Sequence, residues 1–271
     1  MDAETNGPSQ PARRQQGSIL RLGAWLAASA AYTGDLLLPP LCVACRAPVD
    51  RHGVLCPSCW REMTFIRPPV CDRLGTPLPY SEAGPTVSTA AQVNPPVYGR
   101  ARAAAVFSGV ARQLVHALKY QDRHEAVGFC AQLMCEAGRD LLPNADLIVP
   151  VPLSRRRLLA RRFNQAAVLA RKVSKLTGVA FAARALERIR HTPPQVGQTM
   201  EQRRENVASA FAVRSGAARL LTGRRLVLVD DVITTGATAN ASASALFEAG
   251  AASVDVLAFA LVPNPAESEA S

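Results

Sequence analysis

Residues 224–243 read RRLVLVDDVITTGATANASA. An unbroken apolar run such as Leu226, Val227, Leu228 and Val229 suits a strand covered on both faces, as in a parallel sheet. It ends on two adjacent carboxylates, Asp230 and Asp231, followed by Thr234, Thr235, Gly236, Ala237 and Thr238. Parallel sheets bind ligands beyond the C-terminal ends of their strands. Where the next helix opens, free amides and the helix dipole attract phosphate, and threonine hydroxyls add donors. Gly236 lets the backbone approach a ligand closely. The two carboxylates can accept hydrogen bonds from sugar hydroxyls, so the stretch fits a ribose 5-phosphate. Two other readings stay open. One is a plain strand, turn and helix in which aspartate caps and threonine turns. The other is a receiver domain, whose acidic pair belongs near the start of the domain rather than near the end.

The flanking sequence supports a strand here. ATANASASALFEAG reads as a helix stopped by Gly250, and SVDVLAFALV as the last strand. Upstream, ARAAAVF reads as a strand, and GVARQLVHALKY and RHEAVGFCAQLMCEAGRDLL as helices by their apolar spacing. DLIVPVPL then gives a short buried strand and a loop, followed by a helix stopped by Gly178. ALERIR reads as a strand and HTPPQVGQ as a loop. Thr199 and Gln202 form a capping box for the helix MEQRRENVASAF. Alternating strands and helices predict an α/β fold, a parallel sheet flanked by helices on both faces. No internal repeat is visible.

The chain has 271 residues, enough for one α/β domain and a small module. Residues 1–17 are expected to be disordered, 18–38 helical, and 18–70 to form a helix plus a metal ribbon. Residues 71–99 are a linker or degenerate second ribbon, 100–263 the α/β domain, and 264–271 a disordered tail. Hydrophobic content is 48%, net charge is +10, and 28 of the 31 basic residues are arginine. Arginine suits phosphate and carboxylate through its planar fork, although a bias in base composition explains the excess equally well. Basicity alone does not choose among acidic small molecules, nucleic acid and membrane surfaces. No segment reaches the roughly 18 apolar residues of a membrane span. ARRQQGSILRLGAWLAASAAYTG looks like an export signal, but Arg21 and Gly23 interrupt it. A short amphipathic helix and an unprocessed cytoplasmic chain are expected instead.

Four of the seven cysteines, Cys42, Cys45, Cys56 and Cys59, form a C-x2-C-x10-C-x2-C pattern. Each pair can turn two sulfurs toward one ion, and four thiolates close a tetrahedral zinc site with no position left for chemistry. Disulfides or redox thiols are the alternative in an oxidising compartment. Cys71 begins a third pair whose second sulfur is replaced by Leu74. Cys130 and Cys135 read as core residues. His52, His116, His124 and His191 lack metal spacing and read as structural. Arg155, Arg156, Arg157, Arg161 and Arg162 could be a solvated helix face, a pyrophosphate contact or a nucleic-acid contact. Single-strand platforms need aromatics, and only Phe163 stands among these arginines.

CVAC, CPSC, ALKY, VPVPLSRRR, RFNQA, HTPPQ, RRENVASAF and LVLVDDVITTGAT together resemble the ComF family over residues 36–262. The family joins a zinc ribbon to a type I phosphoribosyltransferase domain. The resemblance implies that Asp230 and Asp231 hold the 2- and 3-hydroxyls of phosphoribosyl pyrophosphate as catalytic residues. It implies that Thr234, Thr235, Gly236, Ala237 and Thr238 cradle the 5-phosphate, and that Pro152, Leu153 and Ser154 form a pyrophosphate loop. Residues 190–205 match a mobile hood whose Arg203 and Arg204 reach the ligand. Implied cofactors are one structural zinc on the four cysteines and Mg²⁺ with the substrate. Many family members carry two ribbons, a pattern from which Leu74 departs. Two functions follow. One is a phosphoribosyl transfer to an unknown acceptor. The other is a non-catalytic sensor or adaptor engaging a DNA-uptake or DNA-processing partner, or single-stranded DNA, as the family's link to competence implies.

Overall fold

The structure is a computed structural model, and it describes residues 39–79, 84–120, 124–153, 158, 163–189 and 210–263. The N-terminal helix, Ser154, the 155–157 and 161–162 arginines, the hood with His191, Arg203 and Arg204, the Thr199–Gln202 box and the tail lie outside these residues.

Five parallel strands form the sheet, in the order β1, β7, β6, β2, β3. They span β1 Ala101–Val106, β2 Leu147–Pro150, β3 Ala180–Phe181, β6 Arg225–Ile233 and β7 Ser253–Leu261. Strand side chains alternate between faces, and the two cores follow that alternation. Val227 and Val229 of β6 face a core shared with helices α3 Gly109–Tyr120, α4 His124–Ala137 and α5 Gln165–Thr177. Leu226 and Leu228 face the other core, built with α6 Ala218–Leu221 and α7 Ala237–Glu248. Burial on both faces is why these strands read as continuous apolar runs.

Several expectations shift in detail. β6 continues past the acidic pair to Ile233, pairing Asp230 with Ala258 and Ile233 with Leu261 across β7. The sheet thus extends through the carboxylates. α4 stops at Ala137, and residues 138–144 are a turn and a 3₁₀ segment. A Cβ at Gly138 would come within 3.0 Å of Leu257, so the chain passes β7 closely there. ALERIR does hold a strand, β4 Leu186–Arg188. It pairs antiparallel with β5 Phe211–Val213, outside the main sheet. Phe211, expected at a helix end, is the first residue of β5.

Two short hairpins precede the sheet, and their backbones repeat. In residues 40–49, Cys42 N donates to Ala47 O and Val49 N to Pro40 O; in residues 69–78, Cys71 N donates to Thr76 O and Leu78 N to Pro69 O. Each hairpin is followed by a short helix, α1 Pro57–Glu62 and α2 Thr89–Val93. The amides capping them point at matching sulfurs: Cys56 N donates to Cys42 Sγ at 3.2 Å, and Ser88 N to Cys71 Sγ at 3.3 Å. Leu74, Ser88 and Ala91 stand where the first hairpin has Cys45, Cys56 and Cys59, so Cys71, the counterpart of Cys42, is the sulfur they share. Between the hairpins, residues 64–66 run antiparallel to β1 and cover the sheet edge, with Ile66 N donating to Ala104 O at 3.0 Å.

The left-handed turn residue of each hairpin is Arg46 (φ 69°) in the first and Gly75 (φ 70°) in the second. A Cβ on Gly75 would lie 2.5 Å from Ala101 O, a backbone atom that cannot move aside. Gly75→Ala is expected to destabilise by about 2 kcal/mol or more through strain and displaced packing, whereas Arg46→Gly is tolerated. Urea unfolding midpoints of the two variants check this, and equal midpoints would contradict it.

Candidate functional site

Hairpin 40–49 and the N-terminus of α1 bring Cys42, Cys45, Cys56 and Cys59 together, their sulfurs all within 4.8 Å of one another. Around a zinc with Zn–S bonds of about 2.3 Å, tetrahedral sulfurs lie about 3.8 Å apart, and Cys45 Sγ and Cys56 Sγ are 3.6 Å apart. The donor set therefore fits a closed zinc-ribbon site supporting structural zinc. Before a metal binds, burial opposes ionisation of Cys42, but amides of Cys56, Cys45 and Ala44 outweigh it and bring its pKa down to about 6. Burial and the other sulfurs push the Cys59 thiol up. Cys42, Cys56, Cys59 and Val43 belong to the same core as Leu114 and Met134, so the metal cluster and the α/β domain share one interior.

The second constellation sits at the C-terminal ends of β2 and β6. Asp231 N donates to Asp230 Oδ1 at 2.8 Å. Asp231 faces the α3 side, where Lys119 Nζ lies 2.9 Å from its Oδ2, off the axis a hydrogen bond needs, making an ion pair. Burial and then the neighbouring Asp231 charge hold the Asp230 carboxyl well above the usual range, which Lys119 only partly offsets. After β6, Thr234 and Thr235 are exposed, and Gly236 takes φ 74° as the N-cap of α7. Ala237 N lies 3.5 Å from Thr235 Oγ1, and Thr238 stands in the first turn. Val151 continues the β2 pairing by donating to Val229 O at 2.9 Å, so Pro152 and Leu153 leave the sheet beside the acidic pair. The described members of the predicted set thus gather at one end of the sheet.

Two side chains there were not assigned roles from sequence. Lys119 belongs to ALKY, whose only sequence signal was a cation in the last turn of an amphipathic helix. Asn164 belongs to RFNQA. It caps α5 by accepting from Ala167 N at 3.4 Å, and its Nδ2 donates to Val151 O at 2.9 Å, tethering the loop after β2.

Metal analysis is expected to find one zinc per chain. Stripping it should lower the unfolding temperature of the whole chain, because structural zinc contributes about 10–16 kcal/mol in isolated fingers. Two zincs, or none in protein prepared without chelator, would contradict this. Asp230 gives a pH signature. With its folded pKa above the ordinary 3.8, the native state holds a proton that the unfolded chain releases. That contribution is complete below the ordinary value and lost as pH rises through the folded one. Asp230→Asn should therefore unfold at a temperature higher than wild type at pH 7, by ~2 °C or more, about 1 kcal/mol in a domain of this size. The gap should close toward pH 4, and thermal melts across that range check it. A less stable variant at pH 7 would reverse the assignment.

Comparison with known proteins fits this architecture. Residues 33–88 match the double zinc ribbon domain family, spanning both hairpins. The DNA utilization protein YhgH of Salmonella typhi is 32% identical over 229 residues, covering 82% of this chain and 96% of that protein. Competence protein F of Haemophilus influenzae is 32% identical over 148 residues, covering 53% of this chain and 64% of that protein. Among solved structures, the glutamine phosphoribosylpyrophosphate amidotransferase of B. subtilis is 19% identical at a TM-score of 0.33, covering 52% of this chain and 30% of that one. The near-complete coverage of a relative at this identity, together with the four-cysteine ribbon and the parallel sheet, makes the chain a member of the ComF family, here a zinc ribbon joined to an α/β domain.

Proposed function

We propose that the end of the sheet binds phosphoribosyl pyrophosphate with Mg²⁺ and transfers its phosphoribosyl group to an acceptor, in the service of DNA uptake or utilization. The observation that carries this reading is the convergence of the acidic pair, the threonine loop at the N-terminus of α7 and the loop after β2. In it, Thr234, Thr235, Gly236, Ala237 and Thr238 hold the 5-phosphate with hydroxyls and helix-terminal amides. Asp230 and Asp231 accept hydrogen bonds from the ribose hydroxyls. Pro152, Leu153 and Ser154 hold the pyrophosphate, and Arg203 and Arg204 close over it. As pyrophosphate departs, the sugar becomes cation-like, and the negative charge that the acidic pair retains stabilises it. Hard oxygen donors suit Mg²⁺; the Asp230 or Asp231 carboxylate and the pyrophosphate would hold it, and it would neutralise the leaving group. No nucleophilic side chain is required. The setting is cytoplasmic, in keeping with a phosphorylated ligand; among the described residues no helix is long and apolar enough to cross a membrane.

A non-catalytic reading keeps the same ligand site as a sensor and gives the chain a DNA-processing partner. It draws on the DNA utilization and competence names of the relatives. Turnover of labelled phosphoribosyl pyrophosphate against a panel of bases separates the two.

Binding itself is tested by calorimetric titration with Mg²⁺ present. Asp230→Asn, Asp231→Asn and Thr235→Val are each expected to weaken phosphoribosyl pyrophosphate roughly ten- to a hundredfold. Hydrogen bonds to charged groups contribute about 1.5–3 kcal/mol. Ribose 5-phosphate should compete, and ribose without phosphate should compete poorly. Equal affinities in all four proteins would remove the site from this stretch.

A further inference from the structure

A lysine ordinarily keeps its ammonium in water and lays only its stem along the protein. Lys119 does the reverse. Its side chain is 21% exposed, and its Nζ lies 2.9 Å from Oδ2 of Asp231, a side chain 16% exposed. Packed elements set both ends of this contact. Ala111, Leu114, Val115 and Leu118 anchor α3 in the core that holds Val227 and Val229 of β6. Asp231 stands between Asp230 and Val232, which pair with Ala258 and Ala260 of β7. Asp231 Oδ2 is buried and accepts no hydrogen bond, so the charge of the ammonium is what compensates it. Lys119 also ends α3, where the helix dipole favours a cation.

We propose that Lys119 is a placeholder cation: it occupies Asp231 in the ligand-free protein and denies the acidic pair to free divalent cations. Two adjacent carboxylates on a rigid strand present hard oxygens of the kind that Mg²⁺ and Mn²⁺ take. A metal lodged there without a ligand would cover the oxygens that a guest's hydroxyls need. A lysine neutralises the same charge without coordinating it. Its ammonium is a compact point charge on a flexible four-carbon stem, so it can yield the carboxylate when a guest arrives. The exclusion is a property of the empty protein. Its consequence, that the divalent cation enters only together with phosphoribosyl pyrophosphate, rests on the proposed phosphoribosyl reading. Lys119 is on this account a specificity-determining residue, which selects the metal–ligand complex over the free metal.

Titration of Mn²⁺ followed by electron paramagnetic resonance, on the zinc-loaded full chain without ligand, tests this. Mn²⁺ prefers oxygen donors, so the four sulfurs do not compete for it. Lys119→Met keeps the stem and removes the charge, and should bind Mn²⁺ roughly tenfold or more tightly than wild type. Lys119→Arg keeps the charge and should bind no better than wild type. Adding Asp231→Asn to Lys119→Met should abolish the gain, which places it at the acidic pair. Mn²⁺ should also raise the unfolding temperature of Lys119→Met and leave that of wild type unchanged, a response that lost packing alone does not give. Lys119→Gln carries the test if Lys119→Met is unstable. Equal Mn²⁺ affinity in wild type and the charge-removed variant overturns the proposal. So does an equal gain in Lys119→Arg, or a gain that survives Asp231→Asn. With phosphoribosyl pyrophosphate added, wild type should take up Mn²⁺. Failure of that arm alone, with the gain in Lys119→Met intact, overturns the phosphoribosyl reading and leaves the exclusion standing.

Discussion

β6 is hydrogen-bonded on both edges, by β2 and β7, and covered on both faces by helices. Such a strand can carry charge only toward its ends: Arg225 opens it, paired with Asp146, and the acidic pair stands toward its C-terminal end. There β2 has left the sheet while β7 pairs on to Ile233, and the first turn of α7 supplies free amides. The position of the acidic pair, the threonine loop and the loop after β2 all follow from that one restriction. Parallel pairing fixes the register of β2 against β6, so Val151 meets Val229 and the residues after it emerge beside Asp230.

The ends of β2 and β6 are electrostatically expensive. Two adjacent carboxylates in a partly buried strand end repel each other, and burial favours the protonated form of Asp230. Among the described residues Lys119 is the cation paired with this acidic end, at close range to Asp231. Alternation along the strand explains the asymmetry, since Asp231 shares the α3 face and Asp230 does not. A site stabilised for its own sake would carry apolar residues here. Retained strain of this kind is the usual mark of a ligand site rather than of a structural one.

The two hairpins show how one backbone can be held by different chemistry. The first converges four sulfurs on a zinc site. In the second, Leu74, Ser88 and Ala91 replace three of the four, and arginines take over. Arg73 donates to Pro96 O and Tyr98 O, both at 2.8 Å, and Ala101 N donates to Arg73 O at 3.0 Å. Arg102 bridges Asp72 and Asp140 at 2.7 Å each. These bonds tie the hairpin to β1 and to the segment before it. A metal holds a module to itself, whereas this network holds it to the sheet, and so fixes Leu74 and Thr76 opposite the threonine loop.

What the sequence revealed depended on the range of the interactions involved. The strand and helix of residues 224–250 were legible because apolar runs, a threonine loop and a terminal glycine act within a few residues. The zinc ribbon was legible because a tetrahedral metal needs four sulfurs at short, paired spacing. The second hairpin showed only as Cys71 and the departure at Leu74, since its backbone bonds leave no other side-chain signature once the sulfurs go. The end of β6 was misjudged because carboxylates discourage a strand locally, while pairing with β7 carries it on to Ile233. Lys119 and Asn164 were visible as letters in ALKY and RFNQA but not as partners. Lys119 meets Asp231 across more than a hundred residues of chain, and Asn164 ties down Val151 only because α5 folds back along β2. Local propensity fixes which residues are exposed at the end of an element, and only the packed sheet decides which of them meet.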